Sequence, residues 1–362
     1  MGGFLTESSL GWPFSFHIPG IIAFAVAIFA LISLPPASVT DPEADVTTKT
    51  KRPSIDYLGA ALCTSAMLML VFVLSEGNAR GWSDPLIISL LILSLLLFGA
   101  FVFAEMKIKE PLMPPNIWLL PNFAAAFVIA MCVTAFFVNY TYYLTLIFQE
   151  VWGYNAVESA IRFVPVGVTA VIIALLAENL IHYFNIKMTL IAGLLLGLIG
   201  NVILGFYSNE NEYWSKFFPS VIIGIAGLAS TYTSVAITAF SAAPNNMAGL
   251  IGGVLNTAFQ FGTGLGLAIT TPVVSSVNGP SAHLEGADRH RLLKGYHAAI
   301  WTTVGIIGFA LLIAIIFVKV IPKTDEDGET LTVHVDSGRK SKEEGSRYDA
   351  TRASVDTVVV QA

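Results

Sequence analysis

Long apolar runs that are almost free of charged residues constrain this chain more than any other feature. The chain has 362 residues, of which 55% are hydrophobic and 12% are charged. Its 25 acidic and 19 basic residues are unevenly spread, since 15 of them lie within 322–362. A soluble domain carries about 25% charged residues, so the composition of the first 321 positions excludes a water-soluble globular enzyme.

The apolar runs have the length of membrane-spanning helices. A bilayer core is about 30 Å thick, so a spanning helix needs about 20 mostly apolar residues. Within hydrocarbon, a helix satisfies its backbone polar groups inside its own segment. The sequence therefore predicts an all-α polytopic membrane protein with about nine transmembrane helices. The predicted spans are 16–34, 56–75, 85–104, 121–149, 159–181, 188–207, 217–240, 247–272 and 297–319.

Polar stretches divide the chain between these spans. Turns or loops are predicted at 35–54, 208–216 and 273–296. The tail is rich in Asp, Glu, Lys, Ser and Thr, a composition that cannot bury enough apolar surface to fold alone. The predicted organisation is an N-terminal stub outside the membrane at 1–15, three helices at 16–104, a cytoplasmic loop at 105–120, a six-helix bundle at 121–320 and a disordered cytoplasmic tail at 321–362.

Basic residues predict the orientation of the chain. With the C-terminus in the cytoplasm, thirteen Lys and Arg residues lie on the cytoplasmic side and six on the other, as the positive-inside rule favours. Residues 1–17 contain no Lys or Arg, so a cleaved signal peptide is not expected. An odd number of spans places the N-terminus outside, and we expect further sequence before Met1.

Charge and cysteine content exclude other classes of function. The net charge is −6 and no basic face is present, so nucleic acid is not an expected partner. Cys63 and Cys132 both lie in apolar runs, which excludes a disulfide framework or a zinc ribbon. No catalytic, metal-binding or cofactor-binding motif is found, and the chain is not expected to be an enzyme.

Polar side chains interrupt the predicted span at 247–272. With about 100° between successive helical residues, Asn256, Gln260 and Thr263 fall within a sector of roughly 60°. Such a stripe must face a partner or a water-filled cavity rather than lipid. We interpret it as the lining of a transport pathway. Hydrogen bonds to a neighbouring helix, worth about 0.6 kcal/mol each on average, are the alternative.

The same span contains two glycine pairs at four-residue spacing. Gly249 pairs with Gly253, and Gly262 pairs with Gly266. Small residues allow helix backbones to approach closely, and the two pairs lie on nearly opposite faces. The pattern therefore predicts close helix packing on both sides.

Aromatic and amide side chains mark the second half of the predicted span at 121–149. Asn139, Tyr142 and Tyr143 share a helical face, and Gln149 ends the segment. These groups suit a hydrogen-bonding wall for an organic substrate. An aromatic belt at the membrane surface is the alternative.

Two further positions complete the predicted pathway. Arg162 follows Glu158 by four residues, a spacing that favours an ion pair within the helix. An outer gate or a contact with a substrate anion is the functional alternative. Tyr232 belongs to a patch of hydroxyl residues within 231–238, which hydrogen bonds to the preceding turn explain equally well.

Three stretches combine aromatic, proline and glycine residues in a fixed order. They are GWPFSFHIPGIIAFAVAIFALISLP (11–35), YYLTLIFQEVWGYNAVESAIRFVP (142–165), and AGLIGGVLNTAFQFGTGLGLAI (248–269) followed by GYHAAIWTTVGIIGFA (295–310). As a set they resemble the drug:proton antiporter-2 branch of the major facilitator superfamily, in its fungal aminotriazole-resistance and multidrug efflux form.

The resemblance implies a fold and a function. It aligns the chain with the last nine of fourteen spans: the C-terminal bundle and two extra central helices at 56–75 and 85–104, without the N-terminal bundle. It implies export of small organic molecules by proton antiport, in a plasma or vacuolar membrane. The expected partners are the lipid bilayer, the substrate, protons and the missing bundle. No carboxylate lies at the centre of a predicted span, so the proton-coupling group is expected in the missing part.

Two hypotheses follow for the chain as a whole. The first is a carrier that exports small organic molecules. The second is a transport-inactive, truncated membrane protein with a regulatory role or none, because substrate in such carriers binds between two bundles. An intramembrane enzyme is disfavoured because no acid–base or metal cluster lies within the spans.

Overall fold

All regular structure in the described part of this chain is helical. The computed structural model describes residues 4, 11, 13–33, 56–108, 113, 115–241, 247–279 and 289–319, apart from the side chains of 78–79, 177–179 and 182. Within these ranges there is no strand, which confirms the all-α prediction. The tail at 321–362, the loop at 35–54 and most of the stub at 1–15 lie outside the described residues.

The helices follow the predicted order of spans. Of those described, nine have 19 or more residues, one for each predicted span. Short 3-10 turns lie at Pro115–Leu119 and Glu210–Glu212, and π-helical turns at Ile147–Val151 and Tyr213–Phe217. The α-helices are α1 (Phe14–Ser33), α2 (Tyr57–Arg80), α3 (Pro85–Glu105), α4 (Phe123–Leu146), α5 (Ala156–Arg162), α6 (Val164–Phe184), α7 (Ile186–Leu204), α8 (Phe218–Phe240), α9 (Ala248–Asn278) and α10 (Arg289–Phe317).

Eight helical segments in the described ranges are long and apolar enough to cross a membrane. The segments correspond to every long helix except α9, which has 31 residues but contains many glycine, amide and hydroxyl side chains. The fold is therefore that of an integral membrane protein. The long helix outside this set is the one with the predicted polar stripe.

Several helix boundaries differ from the prediction. The span predicted at 159–181 begins as the separate short helix α5, and the chain turns at Phe163 before α6. Pro165 lies in the first turn of α6, where its missing N–H costs no hydrogen bond. The loop predicted at 273–296 is wrong at both ends, because α9 continues to Asn278 and α10 begins at Arg289. Hydropathy underestimates helices that extend beyond the apolar core.

Side-chain caps fix several helix starts. Asp56 precedes α2, and its Oδ1 accepts a hydrogen bond from the Gly59 amide at 2.7 Å. Asp84 precedes α3 and accepts from the Leu86 amide at 2.8 Å. Such caps satisfy amides that have no partner within the helix and stabilise it by about 1 kcal/mol each. Asp56 and Asp84 therefore fix the residues at which α2 and α3 begin.

The six-helix bundle is built around α4, which contacts α8, α9 and α10. Helices α7 and α8 form the largest pairwise contact, and α6 packs on α8. Helices α2 and α3 form a hairpin, and α2 packs on α9. In contrast, α1 has no buried residue. Among the described helices, α9 therefore belongs to the bundle and also contacts the hairpin through α2.

Asn122 joins the two ends of the bundle. It precedes α4 in the left-handed region, with φ of 66°. Its Nδ2 donates to the Lys319 carbonyl at 2.8 Å, and its Oδ1 accepts from the Lys319 amide at 2.7 Å. This reciprocal pair of hydrogen bonds connects the start of α4 to the residues after α10, so it holds the two ends of the bundle sequence together.

Glycines allow α7 and α8 to cross with their backbones in contact. A Cβ atom at Gly200 would lie 2.4 Å from the Gly224 amide nitrogen, and one at Gly227 would lie 2.3 Å from the Gly197 nitrogen. These distances leave no room for a side chain. The sequence analysis did not single out these glycines, although Gly193 and Gly197 have the same four-residue spacing as the pairs in α9.

Candidate functional site

A buried polar junction connects α4 and α9. The Tyr143 hydroxyl donates to Thr270 Oγ1 at 3.1 Å, and Thr270 donates to Asn139 Oδ1 at 2.9 Å. The Gly266 carbonyl is a second acceptor 2.9 Å from Thr270 Oγ1. Asn139, Tyr143 and Thr270 are at most 2% exposed. The structure thus brings together two predicted pathway residues inside a helix–helix contact.

The sequence analysis missed Thr270, although a signal was present. Thr270 follows Thr263 by seven residues, which returns a helix to nearly the same face. It therefore continues the stripe of Asn256, Gln260 and Thr263. Extending the stripe to the end of α9 would have found it.

The first half of α9 carries the rest of the stripe on an open surface. Asn256 and Gln260 are exposed, whereas Thr263 is half-buried. The Thr263 hydroxyl donates to the Phe259 carbonyl of its own helix at 3.1 Å. In the described part of the chain, these side chains therefore have room to contact a bound molecule.

An aromatic pair lies beside these amides. The rings of Tyr232 on α8 and Phe259 on α9 stack with centroids 4.4 Å apart and an interplanar angle of 17°. Tyr232 is 47% exposed. We name the surface formed by Tyr232, Asn256, Phe259 and Gln260 the amide–aromatic face. It offers hydrogen-bonding groups and a flat ring surface without a charged side chain of its own.

The two glycine pairs of α9 differ in their surroundings. A Cβ atom at Gly262 would lie 2.1 Å from the Met131 carbonyl oxygen, and one at Gly266 would lie 2.7 Å from Ala135 Cα, both on α4. At Gly249 and Gly253 no described atom lies within 4 Å of the Cβ position. Among the described residues, close packing is therefore seen at the second pair, where α4 meets α9, and the role of the first pair stays a prediction.

The tyrosines of α4 do not share one environment. Tyr143 is buried, whereas Tyr142 is 46% exposed and contacts the Tyr143 ring edge-on at 5.2 Å. Tyr142 therefore lies at the exposed edge of the predicted face, outside the buried junction, and its role in the pathway stays a prediction. Successive helical residues differ by about 100°, which separates Tyr142 from the junction.

Arg162 is held at the end of the bundle, away from the amide–aromatic face. Its guanidinium carbon lies 3.6 Å from the centroid of the Tyr154 ring, a cation–π contact. The Tyr154 hydroxyl donates to Glu210 Oε1 at 2.5 Å. Burial first, and then this hydrogen bond to Glu210, raise the pKa of Tyr154 to about 12, so Tyr154 stays a donor at neutral pH.

The predicted ion pair between Glu158 and Arg162 is not formed. Glu158 and Asn155 make a capping box at the start of α5, in which the Glu158 carboxylate accepts from the Asn155 amide at 3.4 Å. The Arg162 Nη1 donates instead to the Glu158 backbone carbonyl at 3.1 Å. Gln149 lies nearby in sequence, exposed in the π-helical turn.

The hydroxyls beside Tyr232 bond within their own helix. Each donates to the carbonyl four residues earlier, as for Thr231 to Gly227 at 2.7 Å. The alternative explanation of this patch, hydrogen bonding to the preceding turn, therefore accounts for its hydroxyls. The others are Thr233, Ser234 and Thr238. Tyr232 alone contributes its side chain to the open surface.

Comparison with known proteins gives the family. The profile of the Major Facilitator Superfamily matches residues 1–267, well over half of the chain. This chain belongs to the Major Facilitator Superfamily. That assignment agrees with the all-α membrane fold described above, and carriers of this superfamily are not enzymes.

Several curated relatives are transport proteins. The chain is 24% identical to the efflux pump terG of Aspergillus terreus over 84% of its length and 57% of the relative's. It is 22% identical to the low affinity ammonium transporter of Saccharomyces cerevisiae over 86% and 59%, respectively. It is 27% identical to the tetracenomycin C resistance and export protein of Streptomyces glaucescens over 76% and 49%. The chain thus spans roughly half to three-fifths of the length of these relatives.

Proposed function

We propose that this chain acts in the export of small organic molecules across a membrane, coupled to proton antiport, as a member of the drug:proton antiporter-2 branch. The observation that carries this proposal is the amide–aromatic face. Amide groups on a spanning helix do not face lipid, and here they lie on an open surface beside a stacked ring pair. An organic molecule can bind there through stacking and hydrogen bonds.

The other predicted pathway residues take different roles in this proposal. Asn256, Gln260 and Tyr232 contact the substrate directly, and Thr263 borders them. Asn139 and Tyr143 position α9 against α4 through Thr270. Tyr142, Gln149 and Arg162 lie at the end of the bundle. There they contact the substrate as it enters or leaves.

The proposal also includes the surroundings of the bundle. Substrate in rocking-bundle carriers binds between two helical repeats, so we place a second bundle opposite the amide–aromatic face. The resemblance to fungal efflux carriers supports a plasma or vacuolar membrane, and the distribution of basic residues supports a cytoplasmic C-terminus. The names of relatives such as the efflux pump terG support export as the direction of transport.

An efflux assay in cells tests this function. Cells that express the chain together with the second bundle should retain less of a panel of neutral aromatic compounds than cells that express the second bundle alone. The double variant Asn256→Ala with Gln260→Ala should lose most of that difference, about tenfold for two hydrogen bonds of ordinary strength. Ile269→Ala is the matched control, because Ile269 is exposed on the opposite side of α9. Equal retention in cells with and without the chain would contradict the proposal.

A further inference from the structure

The two helices that form the amide–aromatic face carry no charged residue. Neither α8 (Phe218–Phe240) nor α9 (Ala248–Asn278) contains an Asp, Glu, Lys or Arg. The polar side chains of the face are the Asn256 and Gln260 amides and the Tyr232 hydroxyl. Moving a charge from water to a site without a counter-charge is strongly unfavourable. The face therefore disfavours charged ligands of either sign.

The two amides of the face can act on one ligand. Asn256 and Gln260 are four residues apart on α9, about 6 Å along the helix axis, and both are exposed. Each carboxamide presents a donor and an acceptor side by side. Such a group forms two hydrogen bonds with a molecular edge on which an acceptor lies next to an N–H. The ligand chemistry that matches these groups is therefore that of an amide, a lactam or an imide.

The aromatic pair adds a flat surface beside the amides. Phe259 covers one face of the Tyr232 ring, with an interplanar angle of 17°. The exposed part of Tyr232 therefore consists of its other face and its edge. Aromatic rings prefer offset-stacked or edge-to-face contacts with such a surface. A planar ring system thus finds a stacking surface next to hydrogen-bonding groups.

Gly253 leaves the adjoining part of this surface free of a side chain. With about 100° between successive helical residues, it points within about 20° of Gln260 and about 60° of Asn256. No described atom lies within 4 Å of its Cβ position. The bare backbone leaves room for the flat part of a ligand, and a branched side chain would fill that room.

We propose that the amide–aromatic face selects uncharged, planar aromatic molecules that carry an amide, lactam or imide at one edge, and that Gly253 is a specificity-determining residue of this site. The inference rests on the proposed function, because it names the substrate class of the same face. The Asn256 and Gln260 amides bind the polar edge of the ligand, and the Tyr232 ring stacks on its aromatic part. A charged group in place of the ligand amide loses its hydration and gains no counter-charge.

Binding of matched probes to the full chain tests this inference. Naphthamide, naphthoate and naphthamidine share one ring system and are neutral, anionic and cationic, respectively, at neutral pH. Titrations in nanodiscs of zwitterionic lipid, followed by ligand-observed NMR and corrected for empty nanodiscs, compare their affinities. Naphthamide should bind at least about tenfold more tightly than either charged probe. Its saturated, non-planar analogue decahydronaphthalene carboxamide should bind about threefold or more weakly than naphthamide, because stacking is lost.

Two variants change the selectivity in predictable directions. Asn256→Asp places a counter-charge on the face and should raise the affinity for naphthamidine about tenfold while lowering that for naphthoate. Gly253→Val fills the room beside the amides and should weaken naphthamide binding about tenfold. Gly305→Val is the matched control for the added volume. Gly305 is exposed on α10, again with no described atom within 4 Å of its Cβ position, and its variant should bind like the wild type.

Several results would overturn the inference. They are a charged probe that binds as tightly as naphthamide, no binding of naphthamide, or an unchanged preference among the probes in Asn256→Asp. Efflux that depends on Asn256 and Gln260, together with a preference for a charged probe, would count against the inference alone. Selective binding of naphthamide without efflux in cells would count against the proposed function alone.

Discussion

The two halves of α9 carry similar residues in different surroundings. Each half has a glycine pair at four-residue spacing and polar side chains along one stripe. The second half lies against α4, so that Gly262 and Gly266 touch its backbone and Thr270 is fully buried. In the first half, Gly249 and Gly253 have open space at their Cβ positions, and Asn256 and Gln260 are exposed.

This difference shows that one pattern can serve two purposes within a single helix. Small and polar residues stabilise a helix contact where another helix is present. Where none is present, the same residue types leave a surface that is poorly suited to lipid and well suited to a ligand. We therefore assign structural roles to the second half and substrate contacts to the first. Paired substitutions test that division: one variant of each pair changes the contact between α4 and the second half of α9, and the other changes the open surface.

The largest difference in stability between the covered junction and the open surface is expected from a buried charge. Asn139→Asp places a carboxylate in the junction with α9, where the neutral Thr270 hydroxyl cannot balance it, and should destabilise the fold by about 3–5 kcal/mol. Asn256→Asp on the open half should cost less than about 0.5 kcal/mol. Thermal unfolding in detergent measures both.

The pH dependence of the same pair gives an independent check. Burial favours the neutral acid, so the Asn139→Asp variant should regain stability as the pH falls and lose it as the pH rises. Asn256→Asp should change little over that range. Equal destabilisation of the two variants at neutral pH would contradict the division of α9.

A smaller difference is expected from added volume. Gly262→Val forces a side chain against the Met131 carbonyl oxygen and should destabilise the bundle by about 2–3 kcal/mol. Gly253→Val meets open space and should leave the unfolding temperature nearly unchanged. Unfolding followed by intrinsic fluorescence, with expression level as a second readout, compares them. A comparable loss in Gly253→Val would show that its surface is covered.

The smallest difference is expected from single hydroxyls. Thr270→Val removes the link between Asn139 and Tyr143 and leaves both buried, so it should cost about 1–2 kcal/mol. Thr263→Val removes only a bond within its own helix and should cost less than about 0.5 kcal/mol. The same unfolding assay compares them. If Thr263→Val proved as costly as Thr270→Val, the hydrogen bonds across the junction would not account for the stability there.

Much of the fold was accessible from the sequence. Apolar runs of about 20 residues predict helices because an unpaired backbone is too costly in hydrocarbon, and the described ranges contain a helix for each predicted span. The ends of the helices were harder to predict from the sequence. The turn at Phe163 and the extension of α9 to Asn278 depend on local geometry that hydropathy does not report. Glu158 shows the same limit, since a spacing that favours an ion pair serves instead as a helix cap.

The candidate site was accessible only in part. The stripe on α9 was found from its angular spacing, but its division into an open and a covered half was not. Tyr296 was not singled out. It bonds to Glu150, which lies 146 positions earlier in the sequence, and no sequence pattern reports a contact at that separation. The crossing of α7 and α8 at Gly200 and Gly227 was likewise found only from the structure.

The sequence by itself determined the medium and the elements, because the hydrophobic free energy of each apolar run and the backbone hydrogen bonds within it are local properties of about 20 residues. Tertiary structure alone decided which polar groups are shared between helices and which remain open. That outcome depends on where α4 meets α9, a contact between segments more than a hundred residues apart, and the residue types on the two helix faces do not specify it in isolation.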